Sequence, residues 1–243
     1  MNYAVICIGY AAELEEISMS IRIAAQTVSH NNTESSHRSQ WGFHTDDLLR
    51  RLLDVTLSIV ALLLMLPVFA LIAVAIRLDS PGSVLFTQRR VGKDGTEFPF
   101  FKFRSMYTDA ENRLDSLMTT NDRNGPVFKM RHDPRITRVG QWLRRWSLDE
   151  TPQLLNVLRG EMSLVGPRPG LPREIALYTP QQRARLSVTP GMTGLWQVSG
   201  RADLSFERSM QLDLEYITRR SFALNCVIIL RTIPAVLTRR GAY

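Results

Sequence analysis

Two adjacent carboxylates, Asp149 and Glu150, lie between two arginine-bearing segments. Arg144 and Arg145 come just before them, and a Gly-Pro-Arg-Pro-Gly loop that carries Arg168 follows. An ionised carboxylate in such surroundings can bind a divalent metal ion or attack phosphorus. Arginine can bind phosphate oxygens through two parallel N–H groups, and the flanking prolines restrict the backbone on both sides of Arg168. The spacing therefore predicts a phosphate-binding site with an acidic pair at its centre.

The same residues also have a purely structural interpretation. Ser147 and Glu150 have the spacing of a capping box at the start of a predicted helix over 151–159, and Gly160 is a stop signal. Acidic residues in a first helical turn also complement the helix dipole. The spacing alone favours this structural interpretation, whereas the surrounding arginines favour a catalytic or metal-binding role for the acidic pair. Asp213 and Glu215 have the spacing of a metal-binding DxE, but they fall within a predicted helix over 204–219 and are interpreted as structural or solvated.

Composition narrows the classes of protein to which the chain can belong. The chain has 243 residues, a net charge of +7 and two cysteines, and only three of its 30 basic residues are lysine. Such a basic, arginine-rich chain suits phosphate-bearing partners such as nucleic acid, anionic lipid or a nucleotide. It carries no P-loop, GxGxxG, HExxH or CxxC pattern. It also carries no nucleic-acid-binding motif, so we expect no nucleic-acid partner.

The longest uncharged stretch is the 22 residues from Val55 to Ile76, with arginines on both sides. Its length meets the requirement for a membrane helix. Pro67 lies inside it and is expected to break or kink the helix. The 12 residues before Pro67 would reach about 18 Å, which is roughly half a bilayer core, so a re-entrant helix and a kinked span fit equally well.

The remaining pattern predicts an α+β, mostly helical chain. Strands at 84–87 and 98–103 flank an Asp-Gly turn, and this arrangement predicts a β-hairpin. The apolar tail over 222–237 suits a helix in the membrane interface. We divide the chain into an N-terminal segment and linker (1–45), a membrane-embedded helix (46–80) and a catalytic domain with the hairpin and interfacial helices (81–243).

Three long motifs occur in order after the apolar segment: KFRSM from Lys102, SLDETPQLLNVLRGEMSLVGPRP from Ser147, and PGMTGLWQVSGR ending at Arg201. Together they resemble the bacterial sugar transferases, the monotopic phosphoglycosyl transferases of the ExoY type that prime exopolysaccharide synthesis. The resemblance covers about residues 46–243. In this family the membrane element is a re-entrant helix broken at a Ser-Pro pair, whereas this chain has Leu66-Pro67.

The resemblance implies transfer of a hexose-1-phosphate from a UDP-sugar to undecaprenyl phosphate, with release of UMP and a requirement for Mg²⁺. It implies that Asp149 attacks phosphorus to form a phosphosugar intermediate and contacts Mg²⁺, and that Glu150 assists as acid/base or by orienting the lipid phosphate. The residues expected near phosphate are Arg144, Arg168, Lys102, Arg104 and Arg201. The enzyme is expected in the bacterial inner membrane with its catalytic domain in the cytoplasm.

One alternative is a catalytically inactive scaffold, anchored in the membrane, that recruits a polysaccharide assembly complex. In that case the acidic pair is only a helix cap. Self-association and contacts with other assembly proteins are compatible with both interpretations. The motifs do not distinguish glucose, galactose or acetamido sugars.

Overall fold

The computed structural model describes residues 40–117, 130 and 133–238. The chain divides into the units Met1–Asp46 and Asp47–Tyr243. Of the first unit only the start of one helix is described, so most of the predicted segment 1–45 lies outside the described residues. The following paragraphs concern the second unit.

The apolar segment forms one long helix, α1, from Gln40 to Asp79. Within the described residues it is the one helix long and apolar enough to cross a membrane, and only 11% of its most apolar window is buried. Helical structure continues through Pro67, so the helix is not interrupted there, and a kink at this proline is compatible with that continuity. A proline removes one N–H and crowds one carbonyl, and neither effect requires the flanking residues to leave helical dihedrals.

Both ends of α1 are attached to the globular part of the unit. Near the N-terminal end, Arg51 donates to the carbonyls of Val157 and Leu158, at 2.6 and 2.8 Å. Asp54 accepts a hydrogen bond from the backbone N–H of Leu164 at 2.9 Å.

At the C-terminal end of α1, the Asp79 carboxylate accepts a hydrogen bond from the N–H of Val139 at 3.0 Å. Between these ends most leucines of α1 are exposed.

The predicted hairpin is confirmed. Strand β1 (Leu85–Val91) pairs antiparallel with β2 (Glu97–Phe103). The turn between them contains a 3₁₀ segment, Lys93–Gly95, in which Asp94 and Gly95 both have positive φ. Asp and Gly tolerate this conformation better than most residues, and for this reason the Asp-Gly pair predicts the turn.

Short elements follow the hairpin and surround the acidic pair. They are α2 (Leu114–Leu117), α3 (Arg138–Arg145), a 3₁₀ turn (Leu148–Gln153), α4 (Leu154–Arg159) and β3 (Ser163–Val165). The predicted helix over 151–159 is therefore part 3₁₀ and part α. Its predicted stop at Gly160 is confirmed, because this residue has a φ of 81° and ends α4.

The C-terminal half is helical apart from one short strand. Its elements are α5 (Pro172–Ala176), α6 (Pro180–Arg183), a 3₁₀ turn (Ala184–Ser187), β4 (Gly191–Thr193), α7 (Leu195–Ser199), a 3₁₀ turn (Arg201–Asp203), α8 (Phe206–Arg219) and α9 (Phe222–Leu237). Strand β4 pairs parallel with β3. Helix α9 coincides with the predicted interfacial segment, and it exposes Val227, Leu230, Ile233 and Leu237.

Strand β2 lies between two apolar clusters and gives the acidic pair a rigid base. On one side Phe98 and Phe100 pack with Val157 and Met162. On the other side Phe103 packs with Ile72, Ile76 and Leu143. The 3₁₀ turn Leu148–Gln153 lies against β2. Because aromatic side chains fill both clusters, the strand that carries Lys102 is held firmly beside the turn that carries the carboxylates.

Candidate active site

The acidic pair occupies the 3₁₀ turn that follows α3. Ser147 precedes it with a left-handed backbone (φ 56°), and its side chain caps nothing. The predicted capping box is therefore wrong. A residue at the N-cap needs extended backbone to turn its hydroxyl toward the following N–H groups, and the left-handed conformation of Ser147 does not provide this. The Thr151 hydroxyl closes the turn instead by donating to the Leu148 carbonyl at 2.7 Å.

Glu150 is tied to two cations. Lys102 Nζ lies 3.0 Å from Glu150 Oε1, and Arg168 binds both carboxylate oxygens, at 2.6 and 3.2 Å. Burial would raise the pKa of Glu150, but the charges and hydrogen bonds of Arg168 and Lys102 outweigh burial and hold the pKa well below its usual range. Glu150 is therefore an ionised carboxylate that holds two cations in fixed positions.

Asp149 differs sharply from its neighbour. It is buried, and within the described part of the chain its carboxylate accepts no hydrogen bond. Burial raises its pKa, the nearby charge of Lys102 opposes this, and the charge of Glu150 adds to the rise. A carboxylate with uncommitted oxygens, surrounded by cations, has its lone pairs available for phosphorus or a metal ion.

The loop that carries Arg168 is held by close backbone packing. A β-carbon on Gly166 would lie 2.6 Å from the Thr189 carbonyl oxygen, so only glycine fits there. Pro167 and Pro169 flank Arg168, and its guanidinium reaches Glu150 from this loop. The charge of Glu150 raises the pKa of Arg168 further, so this side chain is always a cation.

Two other predicted arginines lie at the same site. Arg144 donates from Nε to the Ser105 hydroxyl at 3.0 Å, and its charge lowers the pKa of Asp149. It is positioned by α3, which lies directly on the backbone of Ser105 because Gly140 has no side chain. Arg201 has a positive φ of 53°. Burial lowers the pKa of Arg201 and the charge of Glu150 raises it, so the two groups interact.

Arg104 has a different position from the one predicted. Its guanidinium donates to the carbonyls of Ser80 and Pro81 and, at 3.4 Å, Ile76, all at the C-terminal end of α1. Burial lowers its pKa. Arg104 therefore caps the C-terminal end of α1. This geometry does not support the expected contact with phosphate.

Sequence reasoning missed Arg90. It lies 5.3 Å above the Phe100 ring and donates to the Pro169 carbonyl at 3.2 Å. Burial and the charge of Arg168 lower its pKa to about 10, so it stays protonated at neutral pH. The strand register of the hairpin contains the signal that places Arg90 at the site. Arg90 pairs with Phe98, and side chains at 98, 100 and 102 share one face of β2, so alternation places Arg90 on the face of Lys102.

The residues present fit one mode of magnesium binding. Within residues 40–117, 130 and 133–238 there is no group of three His, Cys, Asp or Glu side chains that could hold a metal ion. Mg²⁺ is commonly bound by one or two carboxylates together with substrate phosphates and water. Asp149 offers such a carboxylate because its oxygens accept no hydrogen bond from the residues that the structure describes. The site therefore suits a cation shared with a phosphate ligand better than one enclosed by protein.

Comparison with known proteins gives a clear result. The family model described as bacterial sugar transferase matches residues 45–239. The exopolysaccharide production protein ExoY of Rhizobium meliloti is 42% identical over 200 residues, which cover 81% of this chain and 88% of the relative. The galactosyl transferase CpsE of Streptococcus agalactiae is 44% identical, and the match covers 80% of this chain and 43% of the relative.

A third relative, the undecaprenyl-phosphate glucose phosphotransferase of Komagataeibacter xylinus, is 45% identical over 84% of this chain and 38% of its own length. The chain thus spans less than half of two of these relatives and most of the third. The residues that match the family model include the carboxylates, the arginine loop and most of α1. The chain belongs to the bacterial sugar transferase family.

Proposed function

We propose that this chain transfers a hexose-1-phosphate from a UDP-sugar to undecaprenyl phosphate and releases UMP, as the priming step of exopolysaccharide synthesis. The observation that carries the proposal is the buried carboxylate of Asp149, which accepts no hydrogen bond from the described residues and lies beside a salt-bridged Glu150 within a group of cations. The names of the relatives supply the acceptor and the pathway. Both glucose and galactose occur among those names, so the sugar is left open.

In the proposed reaction Asp149 attacks the phosphorus that bears the sugar. A bond forms between a carboxylate oxygen and phosphorus, and the bond from phosphorus to the bridging oxygen breaks, so UMP leaves with that electron pair. An oxygen of undecaprenyl phosphate then attacks the same phosphorus and releases the Asp149 carboxylate. Two steps at one phosphorus replace a direct meeting of two anionic substrates.

The cations at the site neutralise the phosphates during both steps. Lys102 and Arg168 are held ready by Glu150, so they need little rearrangement when charge develops on phosphate oxygens. Since Glu150 is held ionised, we assign it to orienting these cations rather than to donating a proton. Mg²⁺, held by Asp149 together with the diphosphate, would supply further charge neutralisation.

A membrane location follows from the exposed apolar surface of α1. One globular part contacts α1 at Asp54 and at Asp79, which in a straight helix lie about 38 Å apart. A helix that spanned a bilayer of about 30 Å would place these ends on opposite sides, where one soluble body cannot touch both. We therefore propose that α1 bends at Pro67 and is re-entrant, with both ends on the cytoplasmic face, where UDP-sugars are found.

The test compares the wild type with Asp149→Asn, purified in detergent. Asparagine keeps the shape and removes the charge, so folding should be retained and UMP release should fall at least about a thousandfold. With a UDP-sugar labelled at the phosphate that carries the sugar, and no acceptor, only the wild type should acquire a hydroxylamine-sensitive label. Release of UMP by Asp149→Asn at the wild-type rate would contradict the assignment of the nucleophile.

A panel of UDP-sugars addresses the donor and the inactive-scaffold alternative together. UDP-glucose, UDP-galactose and the acetamido donors are each incubated with undecaprenyl phosphate and Mg²⁺. We expect UMP from at least one donor, and its loss on chelation. A folded wild type that releases no UMP from any of them would favour the scaffold.

A further inference from the structure

A buried ion pair lies behind the loop that carries Arg168. Arg185, in the 3₁₀ turn Ala184–Ser187, donates from Nη2 to Asp213 Oδ2 of α8 at 2.5 Å. The same nitrogen donates to the Arg168 backbone carbonyl at 2.7 Å, and Nη1 donates to the Tyr178 hydroxyl at 2.8 Å. Arg185 is 6% exposed and Asp213 is 1% exposed. The guanidinium thus joins its own 3₁₀ turn to α8, to Tyr178 and to the backbone of the active-site loop.

The backbone on both sides of Arg168 has little freedom left. Pro167 has its own φ fixed by its ring, and Pro169 confines Arg168 to extended backbone. The orientation of the Arg168 carbonyl is then the main remaining variable. The hydrogen bond from Arg185 fixes this orientation, and with it the direction in which the Arg168 side chain leaves the loop.

The ion pair is a poor source of stability. Removing two charges from water is costly, and the attraction between them repays that cost only when every polar atom is satisfied. Asp213 Oδ1 is buried and, among the described residues, has no hydrogen-bond partner. A network that is only partly satisfied stabilises weakly, whereas it still holds Arg185 in a defined direction.

We propose that Arg185 and Asp213 are a positioning pair that locks the Arg168 peptide, so that the Arg168 guanidinium meets Glu150 and the donor phosphates in the required geometry. The proposal rests on the proposed transferase function. It assigns a role to Asp213, which the DxE pattern alone left without chemistry. Neither residue touches substrate, and both act through Arg168.

The test is a double-mutant cycle of Arg185→Lys and Arg168→Lys, read as kcat and donor KM for UMP release. Lysine keeps the charge of Arg185 but lacks the planar fork, so it cannot serve all three partners. In the wild-type background Arg185→Lys should lower kcat about 10- to 100-fold. In the Arg168→Lys background the same change should cost less than about threefold, because the residue through which it acts is already altered.

A matched control is Arg183→Lys. Arg183 is an exposed arginine of α6 two residues away, and its substitution should leave kcat near the wild-type value. Melting curves accompany every variant. If Arg185→Lys does not fold, Asp213→Asn takes its place in the cycle, since asparagine keeps a hydrogen-bond acceptor for Arg185. The same coupling with Arg168→Lys is expected.

Two results would overturn the positioning role while leaving the transferase function intact. One is an active wild type in which the losses of kcat from the two substitutions multiply. That result would show that Arg185 acts independently of Arg168, through a structural effect. The other is wild-type kcat in the folded Arg185→Lys variant. If the wild type itself is inactive, the proposed function fails. In that case the same variants are compared by their affinity for the UDP-sugar, measured by titration calorimetry. Losses of affinity that multiply would overturn the inference, and losses that are coupled would support it.

Discussion

At the residue scale, two adjacent carboxylates acquire different chemical roles from their partners. Glu150 accepts hydrogen bonds from Lys102 and Arg168, whereas Asp149 accepts none within the described part of the chain. The charge of Lys102 is the largest influence that lowers the pKa of Asp149 against the effect of burial. In the proposed reaction Asp149 must be ionised to attack phosphorus, so we expect its pKa to set the acidic limb of activity.

Lys102→Met should therefore move that limb. Loss of the positive charge raises the pKa of Asp149, so a higher pH is needed to ionise it, and the acidic limb of kcat/KM shifts upward. The rate at the plateau should also fall, because a cation proposed to bind phosphate is lost. The measurement is a pH profile of UMP release at fixed Mg²⁺, with Lys93→Met in the exposed hairpin turn as the control. An unmoved acidic limb in Lys102→Met would mean that another group sets it.

Arg168→Lys tests whether fork geometry matters at the site. Arg168 binds both oxygens of Glu150, which a lysine cannot do. We expect kcat/KM to fall at least about tenfold while the melting temperature changes little. The exposed Arg173, changed to lysine in the same loop region, is the control. Full activity in Arg168→Lys would show that a point charge is sufficient.

The sequence indicated most of these residues for a physical reason. Asp149, Glu150 and Arg168 lie in continuous motifs whose residue types already state their chemistry. Arg104 was expected near phosphate only through the family resemblance of its motif, and it lies just past Phe103, where β2 ends. Beyond a strand end the backbone no longer alternates, so the side chain follows its local partners, here the carbonyls that end α1. Arg90 required the hairpin register, which a single strand does not give.

At the element scale, local signals predicted turns better than they predicted caps. The Asp-Gly turn and the stop at Gly160 depend only on the φ that these residues can adopt, and both are confirmed. The capping box at Ser147 depended on backbone conformation, which the packing of α3 and β2 decides. The same limit applies to α1, where the sequence left open whether Pro67 breaks or kinks the helix, and helical structure continues through it.

Arg104→Met tests the assignment of Arg104 as the cap of α1. The substitution leaves buried carbonyls at the end of the helix without a charged donor, which should cost about 2 kcal/mol of stability. The melting temperature in detergent should fall, and the donor KM should stay near the wild-type value. The control is Arg89, an exposed arginine of β1, whose change to methionine should alter neither. A raised KM without a lower melting temperature would restore the phosphate-binding role first predicted for Arg104.

At the scale of the whole molecule, apolar surface is concentrated on two helices. Exposed leucines line the middle of α1, and α9 exposes four large apolar side chains. Soluble proteins rarely leave such patches in water, so a bilayer is the natural cover for both. Hydropathy predicted both helices from the sequence. The attachment of both ends of α1 to one body depends on contacts between residues 60 or more positions apart, which no local pattern reveals.

The last prediction concerns this topology. If both ends of α1 lie on the cytoplasmic face, a cysteine at Ser36 is cytoplasmic, and if α1 spans the bilayer, it is exposed outside. In a Cys7→Ser, Cys226→Ser background, Ser36→Cys should react with a membrane-impermeant thiol reagent only after cells are lysed. Thr96→Cys, in the exposed hairpin turn of the catalytic part, is the matched control and should also react only after lysis. Because Asp54 and Asp79 bind the same globular body, the two cysteines should behave alike. Labelling of Ser36→Cys in intact cells, with Thr96→Cys protected, would establish a span and exclude the re-entrant arrangement.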